Sequence, residues 1–185
     1  MLYTRKGDNG TTKTFGCDQR ISKSSAVAEA LGCLDEVNSF LGVVKTSEGV
    51  ARLDVVKIVG QSLPALIHNV QENLFIIQAE VAGAEKTIEE SKVKDLEAVI
   101  DAIEKTLPPI KTFFISGGTN TAASFDFART LVRRAERRVA GVSDEKTVKV
   151  GANTLAYLNR LSSLFYALAR LSNHLSGINE QSPKY

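Results

Sequence analysis

Leu155-Ala156-Tyr157-Leu158-Asn159-Arg160-Leu161-Ser162-Ser163-Leu164-Phe165-Tyr166-Ala167-Leu168-Ala169-Arg170-Leu171 is the stretch that decides the architecture. Leu155, Leu158, Leu161, Leu164, Phe165, Leu168 and Leu171 recur at three- and four-residue steps, which predicts a helix from about Asn153 to Leu175. Its apolar residues face more than one side, so neighbours must cover it all round, and it is expected to be the central helix.

Working outward, the same period recurs. A fourth helix is expected from about Thr121 to Val139, closed by Gly141. The third, about Glu89 to Leu107, places Val93, Leu96, Val99, Ile100, Ile103 and Leu107 on one stripe and stops at Pro108-Pro109. A second helical region runs from about Ala51 to Val81, interrupted at Gly60-Gln61-Ser62, with Ser62 as N-cap and Pro64 in the restarted first turn. The first, about Ser24 to Thr46, carries Val27, Leu31, Leu34, Val37, Phe40 and Leu41. Five helices with short connections and no convincing hairpin pattern predict an all-α, antiparallel five-helix bundle. It forms a single domain over residues 1–185: a leader 1–23, the bundle 24–175 and a tail 176–185.

Composition bounds what this bundle does. The chain has 185 residues, 43% apolar and 24% charged, with a formal net charge of +2. A chain this long buries about 70% of the surface its unfolded form exposes and needs no disulfide or structural metal to be stable. No run reaches the roughly 18 apolar residues of a membrane span, and Met1 to Arg20 lacks the pattern of a secretory signal. Cys17 and Cys33 are not in a CxxC arrangement and read as two reduced thiols of a cytoplasmic chain. His68 and His174 stand alone, without the Glu-x-x-His pairs of a di-iron bundle or the spacing of a zinc site.

Three places depart from packing logic. The leader Tyr3-Thr4-Arg5-Lys6-Gly7-Asp8-Asn9-Gly10-Thr11-Thr12-Lys13 offers glycines, hydroxyls and cations but almost nothing for a core. Such a loop can turn backbone N–H groups toward an oxyanion, triphosphate being a natural guest, or it is an ordinary terminus with a turn. It is not a Walker A loop. On the fourth helix, Arg129, Arg133, Glu136 and Arg137 share a face at about 100° per residue, whereas Arg134 and Arg138 point elsewhere. Guanidinium groups one turn apart can clamp successive phosphates, or the face is solvated and laced by ion pairs. Nucleic acid is a weaker guest, because acidic relief interrupts the stripe and no aromatics interleave it. Finally, Asp35 and Asn38 lie beside Leu34, Val37 and Leu41; a buried carboxylate needs a partner such as arginine, and an exposed one needs none.

Taken together, Tyr3 to Thr12, Leu34-Asp35-Glu36-Val37-Asn38-Ser39, Gly117-Gly118 with Ala128-Arg129-Thr130 and Arg133-Arg134-Ala135-Glu136-Arg137, and Tyr157 to Ser162 resemble the propanediol-utilisation type of ATP:cob(I)alamin adenosyltransferase, in order over most of the chain. The resemblance implies a homotrimer with ATP and corrinoid bound between adjacent subunits. It implies that the 5′-deoxyadenosyl group of ATP passes to the cobalt of cob(I)alamin, giving adenosylcobalamin and triphosphate. The alternative is a non-catalytic corrinoid- or ATP-binding trimer acting as chaperone or sensor.

Carried over by position, Thr4, Arg5, Lys6, Gly7, Asp8, Gly10, Thr12, Lys13 and Lys23 would surround the ATP phosphates, with Arg133, Arg134, Glu136, Arg137 and Asn159 completing the nucleotide site. Mg2+ would bridge phosphate oxygens with no direct side-chain ligation. Asp35 and Arg129 would pair across the subunit boundary on the corrinoid side, and Phe113 would press on the lower face of the corrin. Asp35, Phe113, Arg129 and Arg133 are thus the residues expected to carry catalysis. A reductase and an adenosylcobalamin-dependent enzyme are the implied protein partners; no nucleic acid or membrane is. The chain departs from the family's usual residues at Lys6, Leu31, Ser116 and Asp126, which stand for threonine, tyrosine, proline and histidine.

Overall fold

The computed structural model describes residues 2–14, 20–53, 58–146 and 148–185. Six helices are present among them: α1 (Ala26–Lys45), α2 (Glu48–Leu53), α3 (Leu63–Val81), α4 (Glu90–Glu104), α5 (Asn120–Asp144) and α6 (Ala152–Leu175). The expected five become six because the second helical region is two elements. Ser47 Oγ accepts from Val50 N at 3.4 Å and starts α2 ahead of the expected Ala51. The chain re-enters helix only at Leu63, where Ser62 accepts from Ala65 N and Pro64 occupies the first turn. Cys17 and positions 54–57 lie outside the described residues.

Two further expectations are corrected. Gly141 does not close α5, which continues to Asp144. Glycine costs about 1 kcal/mol against alanine inside a helix, and the wholly buried Val142 one residue on offsets it. The leader does contain a hairpin: β1 (Thr11–Lys13) pairs antiparallel with β2 (Arg20–Ser22), Thr12 opposite Ile21. Three-residue strands are too short to show an alternating pattern. Arg20 reinforces them by donating Nε to Thr11 Oγ1 at 2.7 Å and Nη2 to Thr11 O at 2.8 Å.

α6 is central, as its all-round apolar surface requires: Tyr157, Leu158, Leu161, Leu164 and Phe165 have no exposed surface, and it packs against both α5 and α4. α1 lies on the remaining flanks of α5 and α3. Phe125 of α5 stacks on Phe165 of α6 with ring centres 6.0 Å apart. The start of α6 is set by a distant residue. Gly151, its N-cap, has no side chain to cap with, and Glu80 at the end of α3 accepts from Gly151 N at 2.7 Å and from the Thr154 hydroxyl. Thr87 Oγ1 donates to the same carboxylate at 3.1 Å, and Glu80 is 5% exposed. A carboxylate at a helix N-terminus complements both the orphan N–H groups and the helix dipole.

Candidate active site

Between the loop that joins α4 to α5 and the face of α6 lies an open cleft of about 630 Å³, lined by Phe113, Phe114, Asp126, Arg129, Arg133 and Tyr166 among others. α4 ends at Glu104, short of the expected Leu107, in turns at Thr106 and Leu107, and Pro108 and Pro109 keep the chain from re-entering the helix, so it leaves the bundle as irregular backbone. The apolar run Phe113-Phe114-Ile115 therefore cannot join the core. Phe113 is 79% exposed at the cleft. Phe114 instead lies under the Arg170 guanidinium, 5.2 Å from ring centre to Cζ.

The loop returns to α5 through Gly117 and Gly118, whose φ values of 127° and 100° suit glycine. A Cβ on Gly118 would run into the Asn173 amide. That amide closes the turn, donating Nδ2 to Gly117 O at 2.9 Å while Oδ1 accepts from Thr119 N at 3.0 Å. Gly117 N donates to Asp126 Oδ2 at 3.1 Å. Burial pushes the Asp126 carboxyl above the usual value of 3.8, opposed by the Gly117 hydrogen bond and the nearby Arg129. Tyr166 is likewise pushed up by burial, with Arg170 opposing.

Arg129 and Arg133 bring positive charge to this cleft. Among the described residues, Arg129 Nε is buried without a hydrogen-bond partner. Glu136, one turn on, faces α6, where Asn159 Nδ2 donates to its Oε1 at 3.0 Å. Arg160 Nη1 donates to Asn159 Oδ1 at 2.7 Å and is itself held by Glu97 Oε1, 2.9 Å from its Nε. The opposite flank of α5 meets α1: Arg134 pairs with Glu36, and Arg138 Nε lies 3.5 Å from Glu29 Oε1. Arg137 donates Nη1 to Arg133 O at 3.0 Å and lines a groove with Glu36 and Arg134. The residues grouped by spacing are therefore divided: Arg129 and Arg133 at the cleft, Glu136 at α6, Arg137 toward α1.

The leader lies elsewhere on the chain. Asp8 N donates to Arg5 O and Gly10 N to Gly7 O, forming two successive turns, and Lys23 N donates to Gly10 O at 2.9 Å. Lys23 Nζ stands 3.3 Å from where a Cβ on Gly7 would lie, which brings this cation to the glycine turn. Lys13 and Thr14 border a second cleft of about 730 Å³ with Leu31, Asp35, Phe75 and Gln78. Asp35 is exposed there. Asp35 and Arg129 thus line different clefts of one chain. Among the described residues no cluster of three or more His, Cys, Asp or Glu side chains is arranged to hold a metal ion.

Arg170, Asn173 and Glu180 were missed by sequence reasoning although they hold the cleft loop. Arg170 stood in the apolar run of α6 as an unexplained cation, which was the available signal. Glu180 carried none, because its partner is defined only by the path of the tail.

A family model described as cobalamin adenosyltransferase matches residues 2–172. The chain is 37% identical over 180 residues to "Corrinoid adenosyltransferase PduO" of Citrobacter freundii, covering 94% of this chain and 50% of that protein. It is 36% identical over 187 residues to "Corrinoid adenosyltransferase" of Bacillus subtilis, covering 97% of this chain and 90% of that one. The chain thus spans half the length of the Citrobacter relative and most of the Bacillus one. Among solved structures it is similar to a variant PduO-type ATP:corrinoid adenosyltransferase from Lactobacillus reuteri complexed with cobalamin and ATP, with a TM-score of 0.86 and 27% identity, covering 100% of this chain and 97% of that one.

Proposed function

The chain belongs to the cobalamin adenosyltransferase family, and from that premise we propose that it transfers the 5′-deoxyadenosyl group of ATP to cob(I)alamin. The observation that carries this reading is the exposed Phe113 at a cleft that Arg129 and Arg133 line. A flat apolar ring facing open space suits a macrocycle's face, and guanidinium groups beside it suit a polyphosphate.

In the reaction, cobalt(I) of the substrate supplies the electron pair that forms the cobalt–carbon bond to C5′. The C5′–O bond breaks, its electrons leave with triphosphate, and no proton needs to move. The protein's tasks are alignment and charge neutralisation. Arg133 and Arg137, with Arg5, Lys6, Lys13 and Lys23 of the leader, oppose the growing charge on triphosphate, while Thr4, Gly7, Asp8, Gly10 and Thr12 shape the loop around it. Asn159 and Glu136 orient the nucleoside, and Arg134, released from Glu36, extends the anion site. Phe113 excludes a lower ligand from cobalt, which eases reduction of the cob(II)alamin precursor. Mg2+ arriving with ATP would help neutralise the phosphate charge, and the side chains named here would hold it only through the nucleotide.

The site is completed between copies of the chain. Among the described residues Arg129 Nε has no partner, and Asp35 borders the other cleft, so a pair between them requires a second subunit, and a homotrimer provides three such seams. The chain acts as one domain in the cytoplasm, supplied with reduced corrinoid by a reductase and passing product to an adenosylcobalamin-dependent enzyme. The test is anaerobic: cobalamin is reduced, ATP and Mg2+ are added, and the adenosylcobalamin spectrum is followed. Corrinoid that remains cob(I)alamin would overturn the assignment.

A further inference from the structure

The segment after α6 is tied back onto the loop that carries Phe113. Arg170 Nε donates to Glu180 Oε2 at 3.0 Å, and these side chains are only 6% and 17% exposed. The same guanidinium donates Nη2 to Pro108 O at 3.0 Å and covers the Phe114 ring. One residue beyond Glu180, Gln181 O accepts from Ile115 N at 2.8 Å. One buried cation therefore holds Pro108 near the start of the loop, the second aromatic Phe114 and the tail together. The contacts fall on both sides of Phe113 and leave its ring free.

Exposed loops without buried side chains sample many conformations, and ordering them costs conformational entropy. Hydrogen bonds at Pro108 and Ile115 limit that freedom at two points around Phe113. The family match ends at residue 172, so Glu180 and Gln181 lie beyond it. We propose that Arg170 and Glu180 latch the C-terminal segment across the loop and are positioning residues that hold the Phe113 ring at the corrinoid cleft. What the loop receives rests on the adenosyltransferase reading; the latch itself does not.

The test uses the full chain and the variant Glu180→Gln, which keeps the side chain's shape and removes its charge. Hydrogen exchange of the Ile115 amide should quicken by about tenfold or more, while amides in α3 stay unchanged. The corrinoid KM should rise severalfold with the ATP KM within about twofold of wild type. Because Glu180→Gln leaves the buried Arg170 charge without its counter-ion, Arg170→Met combined with Glu180→Gln is measured too and should quicken the same amide. Unchanged exchange at Ile115 in both variants overturns the latch. Faster exchange with equal rises in both KM values, or with neither changed, overturns the positioning role. If the wild-type chain makes no adenosylcobalamin, the functional reading falls and takes the corrinoid role with it, whereas the latch is still decided by exchange.

Discussion

Asn159 on α6 and Glu136 on α5 share a hydrogen bond, Nδ2 donating to Oε1 at 3.0 Å, and the amide that makes it has one orientation. Arg160 Nη1 occupies the other end, 2.7 Å from Asn159 Oδ1. A guanidinium only donates and a carboxylate only accepts, so a flipped amide would lose both bonds. Asn159→Asp sets two carboxylates against each other. The ATP KM should rise about tenfold, with the corrinoid KM changed less than about twofold. Initial rates over a range of each substrate decide it, and parallel rises would remove Asn159 from the nucleotide site.

Phe113 and Arg133 line the same cleft, and the adenosyltransferase reading gives them different substrates. Phe113→Ala should chiefly impair corrinoid reduction and adenosylation and leave ATP binding nearly intact, whereas Arg133→Ala should lower both ATP affinity and turnover. Because the Phe113 ring is 79% exposed, its removal should shift stability by less than about 0.5 kcal/mol. Calorimetric ATP titration and urea unfolding of both variants check this. Equal loss of ATP affinity contradicts the division.

Asp126 gives a pH signature. Its carboxyl is raised above 3.8 by burial, so the folded chain keeps this proton to higher pH than the unfolded chain does. The stability it contributes is fully present below about 3.8 and is lost as pH rises through the raised folded value. Asp126→Asn retains an oxygen for Gly117 N and abolishes the titration. Wild-type stability should therefore fall relative to the variant as pH rises from about 4 to about 7. Urea midpoints across that range measure it, and a constant difference would refute the assignment.

Glu80 accepts from three donors on two segments. Glu80→Gln turns an NH2 group toward some of them and should cost about 2–4 kcal/mol. The loss should appear in the urea midpoint. A change below about 0.5 kcal/mol would mean that the start of α6 is set without it.

Pairing of Asp35 with Arg129 requires more than one chain. Light scattering should give three times the 20.0 kDa chain mass. A double-mutant cycle of Asp35→Ala and Arg129→Ala on turnover should be non-additive by about 1 kcal/mol or more. A monomer that turns over, or additive losses, would refute it.

Helix positions were legible because their signals are local. Ser62 and Pro64 mark the start of α3, and the leucine steps of α6 specify a helix covered on several sides. The exceptions were places where distant contacts override local preference. Gly141 stays helical because Val142 beside it is buried, and a hairpin of two three-residue strands persists because Arg20 reaches Thr11. The stripe on α5 was legible as a face but not in its allocation, since Glu36, Glu29 and Asn159 decide which way each side chain turns.

By itself the amino-acid order determined a mainly helical chain, where most helices begin and end, and the family whose motifs it carries. Those properties depend on residues three or four apart and on short ordered signatures. Only the tertiary structure decided that Glu80 caps a helix beginning 72 positions later, that Asn173 closes the glycine turn after Phe113, and that Arg170 binds the tail to that loop. A buried polar group must find its partner in space, and which partner is near depends on how the helices pack.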